Sequence, residues 1–133
     1  MKTRSIQFQT IFPAEPGKVY HLLMDQAQHA RIAGKDARIS AKTDGKFIVW
    51  GGYCHGYNIE LKEGEKIVQA WHFDETGWPD NHYSICTFTF APCERGCRMH
   101  FEQSEVPEAS ADTIEKVWKT FYWDKMQALL EKQ

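Results

Sequence analysis

This 133-residue sequence lacks the features that mark a membrane protein, a nucleic-acid-binding protein or a secreted protein. It has no apolar run near the roughly 20 residues that a helix needs to cross a bilayer. Its 16 Lys and Arg residues are outnumbered by 18 Asp and Glu residues, so the balance supplies no dense cationic face for nucleic acid. Residues 1–5 lead into a strand pattern without a signal-peptide core. We therefore expect a cytoplasmic protein that neither spans a membrane nor binds nucleic acid.

The usual signatures of catalysis and metal binding are also missing. There is no glycine-rich phosphate loop, and no two of the six His residues stand at the i, i+4 spacing of a metalloprotease helix. The cysteines are Cys54, Cys86, Cys93 and Cys97, and in a cytosolic chain free thiols are the expected state. Cys93 and Cys97 flank a predicted three-residue hairpin loop, 94–96, so a redox-sensitive bridge is the alternative. We predict no catalytic residue, no metal site and no cofactor.

Aromatic residues are abundant, in contrast, at 14% of the chain with five Trp. The chain is 42% hydrophobic, which suits one compact domain over residues 1–133. So many rings favour either a bulky core or an aromatic-lined cavity.

Apolar periodicity predicts a strand, two short helices, six more strands and a long helix. The two short helices cover 18–23 and 25–32, with Asp25 as N-cap and Gly34 as stop. The first strand covers 3–11, and the others are predicted at 36–41, 46–50, around 57–61, 67–73, 83–91 and from 97 to the Gln103–Pro107 stretch. Hairpin-length connections favour an antiparallel sheet.

The last predicted helix, 110–132, has an unusually wide apolar arc when it is drawn at 100° per residue. A helix on a protein surface needs only a narrower stripe, so this helix is expected to be gripped on two sides. We predict an α+β helix-grip fold, in which a bent antiparallel sheet of six to seven strands wraps around the long C-terminal helix.

A ligand cavity between sheet and helix is the candidate site, since such sites are mostly apolar with a few polar groups. Lys125 falls near the middle of the helical arc, where its amine could meet a ligand carboxylate, although snorkelling to water is the alternative. His72 is a candidate base if it faces the cavity, and either face of strand 67–73 could turn inward. The predicted lining residues are Trp50, Tyr57, Trp71, His72, Phe88, Met99, Trp118, Tyr122 and Lys125. The alternative is that these side chains simply fill the core.

Short motifs along nearly the whole chain resemble the activator of heat-shock protein 90 ATPase homologue family of the START-like (Bet v I-like, SRPBCC) superfamily. They are Phe12-Pro13-Ala14, Val19-Tyr20, Gly45-Lys46-Phe47, Gly51-Gly52, Gly56, Glu60-Leu61, the run from Ile67 to Trp71, Trp78-Pro79 and the run from Gln103 to Pro107. The chain has Trp71-His72 where the family often has Trp-Arg, and Val117-Trp118 where it often has Gly-Trp.

The resemblance implies the helix-grip fold and leaves three functions open. The first is a non-catalytic module that binds a small apolar or aromatic molecule. The second is a co-chaperone-like domain that contacts heat-shock protein 90, and the third is a cyclase- or hydrolase-like enzyme with His72 or Lys125 in the cavity. Relatives often pair, so a homodimer is also implied as an alternative.

Overall fold

The computed structural model describes residues 1–132, in which seven strands form one antiparallel sheet. The strands are β1 (Thr3–Phe12), β2 (Arg38–Ile39), β3 (Lys46–Val49), β4 (Cys54–Lys62), β5 (Lys66–Phe73), β6 (Ser84–Cys93) and β7 (Gly96–Pro107). Their order in the sheet is β1-β7-β6-β5-β4-β3-β2, so most neighbours are hairpin partners and β1 joins through the last strand. The predicted antiparallel α+β architecture is confirmed.

Two short helices follow β1, as predicted. They are α1 (Pro16–Met24) and α2 (Gln26–Ala33). The Asp25 carboxylate accepts from the Gln28 backbone N–H at 3.0 Å and so caps α2. Gly34 ends the same helix with φ at 68°, a left-handed conformation that glycine adopts without steric cost.

The C-terminal helix is continuous but not uniform. It runs through α3 (Ala111–Val117), a π-helical segment (Trp118–Trp123) and α4 (Asp124–Glu131). None of the helices within residues 1–132 is both long and apolar enough to cross a bilayer.

The inner face of the sheet carries the core, and the C-terminal helix packs on it. In β5 the inner side chains are Ile67, Gln69, Trp71 and Phe73, all buried. The Trp118 ring from the helix lies 5.0 Å from the Trp71 ring, measured between centroids. The helix-grip fold expected from the sequence is therefore observed.

The tip of the β6–β7 hairpin is tighter than predicted. Cys93 lies opposite Gly96 and Cys97 lies opposite Pro92, so only Glu94 and Arg95 form the turn. The expected three-residue loop with Cys93 facing Cys97 is wrong by one position. All four cysteines are free thiols in this structure.

Candidate binding cleft

The interior between sheet and helix is filled by aromatic rings. Among the predicted lining residues, Trp71, Phe88, Met99, Trp118 and Tyr122 are buried there. The Trp118 ring centroid lies 4.7 Å from that of Tyr122 and 5.9 Å from that of Phe88. These five side chains meet across the sheet–helix interface, so in this structure they act as core.

Polar side chains that the sequence analysis did not single out hold these rings in place. The Trp118 indole N–H donates to the Gln103 side-chain oxygen at 2.7 Å, and the Gln103 amide donates to the Ser84 hydroxyl at 2.9 Å. The Trp71 indole N–H donates to the Gln69 side-chain oxygen at 2.8 Å. A buried donor without a partner would lower stability, and these inward-facing amides provide the acceptors that the two indole N–H groups need. The only sequence signal was a polar residue at an inner-face position.

Two predicted residues, Tyr57 and His72, lie on the outer face of the sheet, and their placement in a cavity was wrong. A bulge between Asn58 and Glu60 interrupts the alternation along β4, so Tyr57 and Leu61 do not share a face of the sheet. Tyr57 is therefore 40% exposed. In β5, Trp71 points inward and so its neighbour His72 points outward, where its ring lies 6.0 Å from that of Tyr83.

An open cleft of about 540 Å³ lies beside the C-terminal helix, and the last two predicted residues, Trp50 and Lys125, line it. One wall is a row of helix residues spaced four apart, a spacing that places them on the same side of a helix. The row consists of Thr113, Val117, Phe121 and Lys125. The other residues around the cleft are Trp50, Tyr53 and Glu75 from the sheet side, and Ala33 and Lys35 at the end of α2.

The π-helical segment explains why this row faces the cleft. At 100° per residue, Ile114 and Leu130 would lie about 160° apart around the axis. The π-helical turn contains more residues than an α-helical turn and so rotates less per residue, which reduces this angle. The buried positions therefore recur every four residues. They are Ile114, Trp118, Tyr122, Met126 and Leu130. Phe121 and Lys125 belong to the neighbouring row, and Phe121 is 43% exposed. The prediction that Lys125 lies in the middle of the buried arc was wrong, since this lysine is exposed.

The cleft combines an aromatic surface with charges at its edge. The rings of Trp50 and Phe121 meet edge to face with centroids 5.6 Å apart. The Lys125 ammonium lies 6.0 Å from the Phe121 ring centroid, a cation–π distance. The Tyr53 hydroxyl donates to the Glu75 carboxylate at 2.5 Å, and burial together with that bond raises the pKa of Tyr53. Such a site can receive a flat apolar group and pair a charge with a lysine.

A directed chain of hydrogen bonds leads from the cleft into the interior. His29 Nδ1 lies 2.8 Å from the Leu23 carbonyl oxygen, which can only accept, so Nδ1 carries the hydrogen. Burial lowers the pKa of His29 to about 4, so the ring is neutral and Nε2 accepts from the Tyr122 hydroxyl at 2.7 Å. The Tyr122 oxygen in turn accepts from the Trp50 indole N–H at 2.8 Å. The rim of the cleft is thus joined to α2.

Residues 1–132 contain no group of three or more His, Cys, Asp or Glu side chains placed to hold a metal ion. The two groups named for catalysis, His72 and Lys125, lie apart, with His72 on the outer face of the sheet and Lys125 in the cleft. They do not form a common site. Of the cleft residues that the sequence analysis missed, Phe121 had a usable signal, because residues 113, 117, 121 and 125 stand at i+4 spacing.

The chain is similar to a described protein family over most of its length. Residues 13–131 match the model of the family described as "Activator of Hsp90 ATPase homolog 1-like protein". Among the curated relatives, "Activator of 90 kDa heat shock protein ATPase homolog 2" of Mus musculus is 21% identical over 129 residues. A protein of Dictyostelium discoideum named "Activator of 90 kDa heat shock protein ATPase homolog" is 25% identical over 126 residues.

The coverage differs between the two sides of these comparisons. The alignments cover 97% and 94% of this chain but only 38% of the mouse protein and 32% of the Dictyostelium protein. A solved structure of an HSP90 activator from Plasmodium falciparum superimposes with a TM-score of 0.88 at 19% identity, covering 96% of both chains. A protein of Mesorhizobium loti superimposes with a TM-score of 0.83 at 17% identity, covering 98% of both. At these identities the solved structures show the fold alone.

Proposed function

The chain belongs to the activator of Hsp90 ATPase homolog 1-like family, and on that premise we propose that it is a non-catalytic module that binds a small apolar or aromatic molecule. The observation that carries the proposal is the cleft of about 540 Å³ beside the C-terminal helix, with Trp50, Tyr53 and Phe121 among its lining residues. Ligand sites are commonly concave, of this size and rich in aromatic side chains. The proposed site is therefore the cleft and not the filled interior.

The charges around the cleft favour a ligand with an acidic group. Lys35 and Lys125 contribute two ammonium groups, whereas Glu75 is the acidic lining residue. The Glu75 carboxylate already accepts a hydrogen bond from Tyr53. An aromatic carboxylate would place its ring against Phe121 and its charge beside Lys125.

The test is thermal stability measured against a library of aromatic carboxylates, neutral aromatics, sterols and lipids. A ligand at 100 times its Kd adds about 2.7 kcal/mol to the free energy of unfolding. For the best ligand, Phe121→Ala and Lys125→Gln should each weaken binding by tenfold or more while the protein stays folded.

Two control variants separate the cleft from general surface effects. Ile59→Ala removes an outer-face side chain that is 39% exposed, close to the value for Phe121. Lys119→Gln removes an exposed lysine on the same helix that pairs with Asp124 at 3.3 Å. Neither control should change affinity. No binding across the library, or equal loss in the controls and the cleft variants, would overturn the proposal.

Contact with heat-shock protein 90 is the second candidate. It is supported by the names of the mouse and Dictyostelium relatives and by the apolar groups on the outer face of the sheet. There Ile48 is 48% exposed and Tyr57 is 40% exposed, and their strands β3 and β4 are neighbours. Exposed apolar patches of this kind often mark protein contacts.

The two candidates are distinguished by where a substitution acts. If the outer face binds the chaperone, Tyr57→Ser should weaken capture of purified heat-shock protein 90 and reduce any change in its ATPase rate. Phe121→Ala should leave both unchanged. Absence of capture and of any rate change with the unmodified chain would remove this candidate.

A further inference from the structure

Trp50 has a backbone conformation that is unusual for a large side chain. Its φ is 58°, and the next two residues, Gly51 and Gly52, have φ values of 65° and 97°. Glycine adopts these angles freely, whereas a bulky residue with positive φ is an outlier that needs compensation. Contacts of the Trp50 side chain must therefore offset the free energy that this backbone conformation costs.

The compensation comes from the contacts of the indole. Its N–H donates to the Tyr122 hydroxyl at 2.8 Å. Its ring meets Phe121 and Tyr122 edge to face, with centroids 5.6 Å away in each case. The indole is half-buried and lines the cleft, so it lies between the cleft and the buried hydroxyl. Its side-chain contacts keep the indole in this position, although the positive φ of Trp50 is unfavourable.

The turn that carries Trp50 has space around it. A Cβ atom added to Gly52 would meet nothing within 4 Å, and one added to Gly51 would meet only the Lys35 side chain, at 3.7 Å. Side-chain crowding at these two glycines therefore does not hold the turn in place. Outward movement of the indole would extend the cleft to the Tyr122 hydroxyl.

We propose that the Trp50 indole occupies an inner compartment of the binding cleft as an internal stand-in for the ligand, and that the ligand is a planar aromatic molecule with one N–H or O–H donor. This inference rests on the proposed binding function of the cleft. The Tyr122 hydroxyl already gives its hydrogen to His29, so its oxygen needs a donor from whatever replaces Trp50.

The same geometry sets a preference among ligands. A molecule that displaces the indole without supplying a donor leaves the Tyr122 oxygen without its partner from the cleft side. Loss of one buried hydrogen bond of this kind corresponds to about a tenfold loss of affinity. Release of the strained Trp50 conformation favours displacement for every ligand equally, so it does not alter this preference.

The experiment uses Trp50→Gly, which removes the indole and leaves a residue suited to a φ of 58°. Indole and indene serve as probes, because they share one shape and only indole has an N–H. Indole should raise the melting temperature of Trp50→Gly, and indene should bind about tenfold more weakly. The double variant Trp50→Gly/Tyr122→Phe should bind both probes alike. Equal binding of the two probes to Trp50→Gly, or no binding of indole, would overturn the inference.

A second measurement uses the unmodified chain, so it does not depend on the folding of a variant. With 5-fluorotryptophan incorporated, the best library ligand should shift the fluorine resonance of Trp50, assigned from Trp50→Phe, more than that of Trp78, which is not a lining residue of the cleft. A ligand that depends on Phe121 and Lys125 but leaves the Trp50 resonance unmoved would uphold the cleft function and overturn the inner compartment. Binding of no ligand to the unmodified chain would overturn both.

Discussion

The indole N–H of Trp50 and the hydroxyl oxygen of Tyr122 lie 2.8 Å apart, although Trp50 belongs to the turn after β3 and Tyr122 to the C-terminal helix. Because Tyr122 also donates to His29 in α2, one buried hydroxyl joins three separate elements. The wall of the cleft and the packing of the early helices therefore depend on the same atom.

Removal of that hydroxyl is expected to destabilise the fold. Tyr122→Phe keeps the ring but leaves the Trp50 N–H and His29 Nε2 without their partner, and His29 is buried. We expect a loss of about 1–3 kcal/mol in the free energy of unfolding, measured by urea denaturation. Tyr57→Phe is the control, since this side chain is exposed on the outer face and should change stability by less than about 0.5 kcal/mol. Equal effects of the two substitutions would contradict the role given to the Tyr122 hydroxyl.

Stability should fall in mild acid because of His29. Burial lowers the pKa of His29 from 6.5 to about 4 in the folded protein. Below pH 6.5 the unfolded chain binds a proton that the folded chain does not, so the free energy of unfolding decreases as pH falls towards 4. This contribution to the free energy of unfolding is about 3 kcal/mol. It is fully present above pH 6.5 and is lost as the pH falls from 6.5 to 4.

The measurement is urea denaturation at several pH values between 7 and 4.5, for the unmodified chain and for His29→Gln. The variant cannot titrate at this position, so its stability should depend less on pH, and the gap between the two proteins should narrow in acid. The pKa of His55 is lowered by partial burial and by His72, which contributes in the same direction. His55→Asn should therefore keep most of the pH dependence. An unchanged slope in His29→Gln would show that another group is responsible.

Local signals in the sequence predicted the elements of this fold well. Asp25 and Gly34 bracket α2 as expected, because an N-cap carboxylate and a left-handed glycine act within a few residues of the chain. The predicted strands were found with small shifts in their ends, and hairpin spacing gave the antiparallel order. Each of these features depends on near neighbours and so can be read without the tertiary structure.

The orientation of particular side chains could not be predicted, because it depends on single extra residues. The bulge between Asn58 and Glu60 turns Tyr57 outward, and the π-helical segment turns Lys125 out of the buried row. Neither irregularity has a distinctive sequence signature, since each reflects packing of the finished sheet against the helix. Trp50 and Lys125 do line a common cleft, but that cleft lies beside the helix and not beneath it.

The four cysteines should react at very different rates in the folded protein. Cys54, Cys86 and Cys97 are buried, which raises the pKa of each thiol, to about 11 in the case of Cys97. Cys93 is only partly buried at the tip of the β6–β7 hairpin. Ellman's reagent at pH 8 should modify Cys93 first, and Cys93→Ser should remove that fast phase.

The thiol count under denaturing conditions provides the control. Protein purified without reductant and then unfolded in guanidinium chloride should show four reactive thiols, since all four cysteines are free. A count of two that returns to four on reduction would indicate a disulfide, and three reactive thiols in Cys93→Ser purified the same way would show that Cys93 is one of its partners.

Two stacked tryptophans in the π-helical segment allow a matched test of one buried hydrogen bond. The rings of Trp118 and Trp123 lie 5.3 Å apart and nearly parallel, and both are buried. The Trp118 N–H donates to Gln103, whereas the buried Trp123 N–H has no hydrogen-bond partner within the described residues.

Trp118→Phe and Trp123→Phe remove the same volume, so the cost of the smaller ring is similar in both. Trp118→Phe also removes the donor to the Gln103 oxygen, and it should therefore cost about 1–3 kcal/mol more than Trp123→Phe in urea denaturation. Equal costs would mean that this bond contributes no net stability and that Gln103 is kept inside the sheet by its bond to Ser84 alone.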